Sequence, residues 1–286
     1  MILVTGATGQ LGSAILTFLL KKLPPSQLAA LVRDEAKAAY LTEKGIDIRV
    51  GDYDDTASLD RAMRGIDKVL LIAGTDEDKR VQQHIQVMNA AQKAGVHFVA
   101  YTSRALKDRT TMANQLMEGH FQTEDYLKAS GLSYALFRNI LYMDAIPQFV
   151  GPTVFETGIR LPTGQGKVAF ALRNEMAEAI ATVLAETGNA TKIYTLTGSE
   201  SYSFSDVAAT LTDLSGKDVT YTTVEKSAFE TQMKSRAVPD SMIQRVAGFL
   251  TDIANGQEDE VTLDLETLLG RKPASLKEGL KVLFHL

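Results

Sequence analysis

The chain has 286 residues, 45% hydrophobic and 23% charged, with a net charge of −5 and no cysteine. That balance belongs to a globular protein with a substantial core, in one large domain or two packed lobes. It excludes disulfides, thiolate metal sites and a cysteine nucleophile. Apolar runs such as Val69-Leu70-Leu71-Ile72-Ala73 are far too short to span a bilayer, so no membrane partner is expected. The absence of a basic cluster argues against a nucleic-acid partner. Met1 leads straight into a strand, so no secretory signal is expected, and a cytoplasmic location fits the lack of cysteine.

The first stretch, Ile2-Leu3-Val4-Thr5-Gly6-Ala7-Thr8-Gly9-Gln10-Leu11-Gly12, reads as a buried strand turning sharply into a helix, on which Leu11, Ile15, Leu19 and Leu20 recur at helical spacing. Gly6 can take a strained backbone conformation, Gly9 lets a pyrophosphate approach, and Gly12 lets helix and sheet pack closely. The helix N-terminus then offers free N–H groups to an anion. The spacing G-x-x-G-x-x-G outlines a dinucleotide site. A second strand, Leu28-Ala29-Ala30-Leu31-Val32, sets Arg33 at the ribose-reading position, where an arginine pairs with the 2′-phosphate of NADP. NADP(H) is therefore the expected cofactor and NAD(H) the alternative, because Asp34 either caps the next helix or turns toward a ribose hydroxyl.

Residues 34–42 look helical, and Ile46-Asp47-Ile48-Arg49-Val50 alternates as a third strand. Asp52, after Gly51, either accepts from an adenine amino group or serves the turn into a helix opened by Asp54, Asp55 and Thr56. Residues 69–73 form a continuous apolar fourth strand, and Gly74 either lets the cofactor pass or simply ends the strand. A helix over residues 81–94 and a fifth strand, Phe98-Val99-Ala100-Tyr101-Thr102-Ser103, complete a strand–helix rhythm. The rhythm predicts an α/β fold, a Rossmann-type doubly wound parallel sheet with ligands at the carboxyl ends of its strands. Residues 104–119 read as a polar loop over the mouth of the site, with Arg104, Lys107 and Arg109 more a solvated surface than a substrate clamp.

A helix carrying His120 to Leu127 follows, then a sixth strand ending in Arg138-Asn139. Beyond Pro147 and Pro152 the pattern loosens around a glycine-rich turn at residues 162–166. Met176, Ile180, Val183 and Leu184 mark an amphipathic helix, residues 193–196 a late strand and residues 204–214 another helix. The tail from Val219 reads as alternating short strands and helices. Residues 1–150 are expected to form the NAD(P)-binding Rossmann domain, and residues 151–286 a smaller C-terminal α/β lobe on the substrate side, with segments returning to the first.

The glycine motif, Arg33, Gly51-Asp52-Tyr53, Tyr101-Thr102, His120-x-x-Thr123-Glu124 and Leu136-Phe137-Arg138-Asn139 together resemble the NmrA-like atypical branch of the short-chain dehydrogenase/reductases. More narrowly, the chain is similar to type 2 NAD(P)H:quinone oxidoreductases and triphenylmethane reductases. The resemblance runs over essentially the whole length. It implies a cofactor cradle of Gly6, Thr8, Gly9, Gln10 and Leu11 with Arg33 on the 2′-phosphate. It further implies that Ala73, Gly74, Tyr101 and the loop from Asn139 to Tyr142 line the ribose and nicotinamide, and that Arg173 matches a family arginine.

The Tyr-x-x-x-Lys pair usual in short-chain dehydrogenases is missing from the helix after the fifth strand, where His120-x-x-x-Glu124 stands instead. Tyr40-x-x-x-Lys44 lies elsewhere and is a chance match. Without a tyrosine held ready to protonate an alkoxide, ketone reduction is disfavoured and an acceptor tolerating hydride before proton, such as a quinone or a cationic dye, is favoured. His120 either relays a proton with Glu124 orienting it one turn on, or both brace the helix. Asn139 and Tyr142 are expected to position nicotinamide and substrate. The other histidines show no ligand spacing, so no metal is expected. The expected function is an NADPH-dependent oxidoreductase acting on a small-molecule electron acceptor, with a homodimer allowed by exposed flanking helices. The alternative is an NADP(H)-binding redox-sensing regulatory protein without turnover.

Overall fold

The structure, a computed structural model, describes residues 1–74, 76–188 and 190–286. The chain runs through β1 (Ile2–Val4), α1 (Gln10–Leu19), β2 (Leu28–Val32), α2 (Ala39–Thr42), β3 (Asp47–Val50), α3 (Thr56–Ala62), β4 (Lys68–Leu71), α4 (Arg80–Lys93), β5 (Phe98–Arg104), α5 (Glu118–Ala129) and β6 (Ser133–Asn139). It continues with α6 (Ile146–Val150), α7 (Val154–Thr157), β7 (Ile159–Leu161), β8 (Lys167–Val168), α8 (Arg173–Ala185), β9 (Lys192–Leu196), β10 (Tyr202–Ser203) and α9 (Phe204–Ser215). The last elements are β11 (Tyr221–Thr223), α10 (Lys226–Ser235), α11 (Asp240–Ala254), α12 (Asp264–Leu269) and α13 (Leu276–Phe284). These residues form two compact units. The first comprises Met1–Arg104, Gly119–Arg138 and Asn174–Tyr194, the second Ala105–Glu118, Asn139–Arg173 and Thr195–Leu286.

The first unit is organised by a seven-stranded, mostly parallel sheet of order β3-β2-β1-β4-β5-β6-β9. Strands β3, β2, β1, β4 and β5 pair in parallel, with Ile2 opposite both Leu28 and Lys68. From β1 the order runs outward in one direction through β2 and β3 and in the other from β4, so the switch point lies between β1 and β4. Every residue of β2 and β5 is buried, as strands covered by helices on both faces must be. The core joins Leu3, Leu31, Leu59, Met63, Val69, Val87, Val99, Leu127 and Leu136. Helix α1 buries Leu11, Ile15, Leu16 and Leu19, one face of a 3.6-residue repeat. Helix α8 is buried around most of its circumference rather than along one stripe, since Met176, Ala177, Ala179, Ile180, Ala181, Val183 and Leu184 are all enclosed.

The second unit holds two small sheets, β11 with β7 in parallel and β10 with β8 antiparallel. After β11 the tail contains four helices and no further strand among the described residues, a correction to the expected alternation. Ile243, Ala247, Leu250 and Ile253 keep helical spacing there, and that periodicity prevailed. Residues 105–118 also differ from the solvated loop expected. Met112, Asn114 and Met117 are buried, and the segment is tied down by Asp252, whose buried carboxylate accepts from the N–H groups of Ala113 (2.6 Å) and Asn114 (3.1 Å). Arg104, read as solvated, is buried at the end of β5 because that strand is enclosed to its last residue. Lys107 and Arg109 pair with Asp259 and Glu118.

The tightest point of the first unit is Gly12, where a Cβ would stand 2.3 Å from the carbonyl oxygen of Gly6. Gly12→Ala is expected to cost about 1–3 kcal/mol through overpacking against backbone that cannot yield. Gly119→Ala, whose methyl would lie 3.4 Å from Val81, should be neutral or stabilising. Urea unfolding of both variants checks the contrast.

Candidate nucleotide site and its supports

Gly6 adopts φ +58°, a left-handed conformation that other residues rarely hold, and its carbonyl accepts from the Gly9 N–H at 3.0 Å. This tight turn delivers the chain into α1 with Gly9 as N-cap, no side chain capping the helix and no acidic residue in its first turn. The positive end of the helix dipole and its amide donors are therefore available to an anion. They face a cleft of about 470 Å³ at the switch point, lined by Gly6, Thr8, Gly9, Gln10, Leu11, Arg33, Asp52, Ala73 and Gly74 together with Tyr53, Ile72 and Gln83. Nine of the residues singled out from sequence thus share one cleft wall.

Arg33 is exposed at the end of β2, while the Asp34 carboxylate accepts from the Ala36 N–H at 3.0 Å and so caps the turn that follows. Asp52 closes a local turn by accepting from the Asp54 N–H at 2.9 Å, and Asp55 caps α3.

Behind the cleft lies a layer of buried polar groups that sequence reading missed. The Tyr53 hydroxyl donates to Thr5 Oγ1 and to the Ile72 carbonyl, while Thr5 Oγ1 also accepts from the Ile72 N–H at 2.9 Å. Burial pushes the Tyr53 hydroxyl pKa up, so it stays a donor. Thr102 Oγ1 accepts from the Ala73 N–H at 3.1 Å. Gly74 is held on both sides by α4: its N–H donates to His84 Nε2 at 3.0 Å and its carbonyl accepts from Arg80 Nε at 3.0 Å. Thr123 donates to the Gly119 carbonyl at 2.7 Å, so it must accept from His84 Nδ1–H at 2.9 Å. These bonds fix His84 as the neutral Nδ1–H tautomer. Its pKa is pushed down to about 3 by burial, with the nearby Arg80 charge adding to it. Nothing local to His84 marks it in the sequence, because its partners come from the stretch after β4 and from the middle of α5.

Tyr101 is fully buried and is not among the residues lining the cleft, a correction to its expected place beside the ribose and nicotinamide, because β5 is enclosed along its whole length. Its hydroxyl meets His120 Nδ1 at 2.9 Å and its ring meets that of His84 edge-on. Burial holds the His120 pKa well below the usual imidazole range, and the charges of Arg80 and Arg104 reinforce it. Glu124 does not orient His120, a correction to one of the two expected readings. Its buried carboxylate is engaged by Arg138 through two bonds (2.9 and 2.6 Å), by Ser103 at 2.7 Å and by Lys128 at 3.0 Å. Burial acts to raise its pKa, but Arg138, Ser103 and Lys128 outweigh that and lower it. Two cations attract a buried carboxylate far more strongly than a neutral imidazole can.

The remaining expected site residues lie in the second unit. Asn139 Nδ2 donates to the Tyr142 hydroxyl at 3.1 Å. The Arg173 guanidinium sits 4.8 Å from the Tyr142 ring centre and pairs with Asp144 at 3.1 Å, while its backbone N–H donates to the same carboxylate at 2.8 Å. Asn139, Tyr142, Asp144 and Arg173 form one connected group.

A doubly wound parallel sheet whose switch point holds a glycine turn and an uncapped helix N-terminus defines a Rossmann-type protein. The chain belongs to the NmrA-like family, whose model matches residues 1–282. It is 37% identical over 287 residues to quinone oxidoreductase 2 of Escherichia coli strain K12, covering 100% of this chain and 99% of that protein. It superposes with a TM-score of 0.91 on the crystal structure of an NADPH-dependent quinone oxidoreductase from Escherichia coli complexed with NADPH, at 38% identity over 99% of this chain and 100% of the other. The triphenylmethane reductase of Citrobacter sp. complexed with NADP(H) matches with a TM-score of 0.92 at 35% identity, again over 99% and 100%. Among the described residues no helix is long and apolar enough to cross a membrane.

The buried neutral His84 sets the sign of a pH effect. Its native pKa of about 3 lies below the ordinary value of 6.5, so its contribution to stability is complete above pH 6.5 and is lost as pH falls toward 3. The loss is expected to reach about 1.4 kcal/mol per pH unit for this residue. Urea unfolding at pH 7 and pH 5 should show a drop in the wild type that is smaller in His84→Gln.

Proposed function

We propose that this chain is an NADPH-dependent oxidoreductase that passes hydride from the reduced nicotinamide to a quinone or a similarly electrophilic conjugated small molecule, acting in the cytoplasm. The observation that carries the reading is the glycine-lined cleft at the switch point, with uncapped amide donors at its floor and the exposed Arg33 in its lining. The residues present fit a dinucleotide, because any Cβ at Gly12 would meet the Gly6 backbone and the turn leaves the helix N-terminus open. The relatives with bound NADPH and NADP(H), similar over essentially their whole length, support the same cofactor.

In this reading Gly6, Thr8, Gly9, Gln10 and Leu11 hold the pyrophosphate, Arg33 takes the 2′-phosphate and Asp52 the adenine. Ala73 and Gly74 serve the ribose and nicotinamide side, with His84 and Arg80 fixing the Gly74 backbone and the buried Tyr101 packed behind against His84. The first unit serves as the nucleotide-binding domain and the second as the substrate-side lobe; the expected division at residue 150 gives way, because residues 105–118 and 139–150 pack with the second unit and residues 174–194 with the first. Asn139 and Tyr142 position the nicotinamide and acceptor, and Arg173, neutralised by Asp144, steadies Tyr142. When bound, the reduced nicotinamide supplies the hydride. His120 is neutral at pH 7 and a weak base, so its part is to share a hydrogen bond with the Tyr101 hydroxyl rather than to deliver a proton as an imidazolium. With no Tyr-x-x-x-Lys on α5 and Glu124 committed to Arg138, the chain suits acceptors whose reduced form is a stabilised anion or a neutral carbon.

Oxidation of NADPH by a small panel of benzoquinones, followed by stopped flow, is the direct test. Saturable nucleotide binding with no turnover on any acceptor would instead favour a redox-sensing regulator. Arg33→Ala is expected to weaken NADPH binding by about 1.5–3 kcal/mol, the worth of a charge-assisted hydrogen bond, and to leave NADH nearly unchanged. Calorimetry with both nucleotides checks it, and equal losses would refute the phosphate role.

A further inference from the structure

The second unit contains a pocket of its own, about 550 Å³, within the range of small-molecule sites. One wall is α10 and the residue that closes it, where Ala228, Gln232 and then Arg236 recur every four residues with Phe229 and Met233 beside them. Another wall is β7. Ile159 and Leu161 are buried, so strand alternation throws Arg160 between them onto the open face. Phe149 and Val150 at the end of α6 and Val246 on α11 extend the apolar lining.

The sign of the lining is the informative feature. It includes two arginines, Arg160 and Arg236, and no carboxylate, in a chain whose net charge is −5. Among the described residues neither arginine forms an ion pair, in contrast to Arg109, Arg138 and Arg173, each set against a carboxylate. Phenylalanine, methionine and valine surfaces next to two such guanidinium groups suit a flat apolar body bearing an anionic substituent, because guanidinium binds carboxylate or sulfonate through paired N–H donors. A cationic ligand of the same shape would meet repulsion from both.

We propose that this pocket binds a planar aromatic ligand carrying a negative charge, held between the apolar faces of Phe149, Phe229 and Met233 and anchored by Arg160 and Arg236. Naming that ligand an electron acceptor rests on the oxidoreductase reading, whereas the anion preference does not. The class thereby selected is the acidic quinones and sulfonated aromatic acceptors.

The test is calorimetric titration of the full chain with anthraquinone-2-sulfonate and with its uncharged counterpart, 2-(hydroxymethyl)anthraquinone. The sulfonate should bind about tenfold tighter or more, the worth of one charge-assisted contact, and added salt should weaken it selectively. In the double variant Arg160→Gln with Arg236→Gln the preference should collapse toward unity. Lys272→Gln, which removes a surface charge outside the pocket, should preserve it. Unfolding midpoints establish that each variant is folded. Equal binding of the two probes, no binding of either, or a preference unchanged in the double variant would overturn the proposal. Selective sulfonate binding without NADPH oxidation by any quinone would leave the anion pocket standing and remove the oxidoreductase reading. Turnover of both probes with no dependence on the arginines would do the reverse.

Discussion

The contact between Gly12 and the carbonyl of Gly6 governs the geometry of the first unit. A side chain at position 12 would occupy the space of that oxygen, so the first turn of α1 can close onto the end of β1 only because position 12 lacks one. The approach leaves α1 without a side-chain cap, its amide donors available at the switch point between β1 and β4. In an ordinary helix such donors would be satisfied by a serine or aspartate. Here the unsatisfied terminus is the feature on which an anion-binding reading depends.

A site of this kind needs a rigid rim, and the rim is held from behind rather than by its own residues. Gly74, without a side chain, is clamped between His84 and Arg80, while Thr5, Tyr53 and Ile72 form a second set of bonds across the strand ends. Buried polar groups of this density are costly unless all are paired. His84 meets that requirement by remaining neutral, donating from one nitrogen and accepting at the other. The same burial that keeps it neutral makes it intolerant of acid.

Charge is distributed with equal economy. Arg138 and Arg173 are neutralised locally by Glu124 and Asp144, so they organise structure and carry little field of their own. Arg33 lines the nucleotide cleft and is exposed, and Arg160 and Arg236 line the pocket of the second unit. An arginine set against a carboxylate fixes a side chain; one without such a partner remains available to a ligand anion. That difference separates the cations that build the fold from those left open to an anion.

Much of this was legible in the residues in order. Alternating strands and helices, the three glycines and an arginine closing β2 follow from local periodicity and backbone freedom, which act over a few neighbours. Long-range pairing was not legible. Glu124 was matched to His120 by helical spacing, yet Ser103 and Arg138 arrive from flanking strands and take its carboxylate. Arg104 and residues 105–118 looked solvated because their composition is polar, but enclosure depends on what packs over them. His84 carried no signal at all, since an imidazole's role is set by the two groups it touches. Patterns of backbone propensity and hydrophobicity are written in each segment. The partner of a buried polar atom is chosen by packing between segments, where an unpaired donor or acceptor costs more than any local preference can recover.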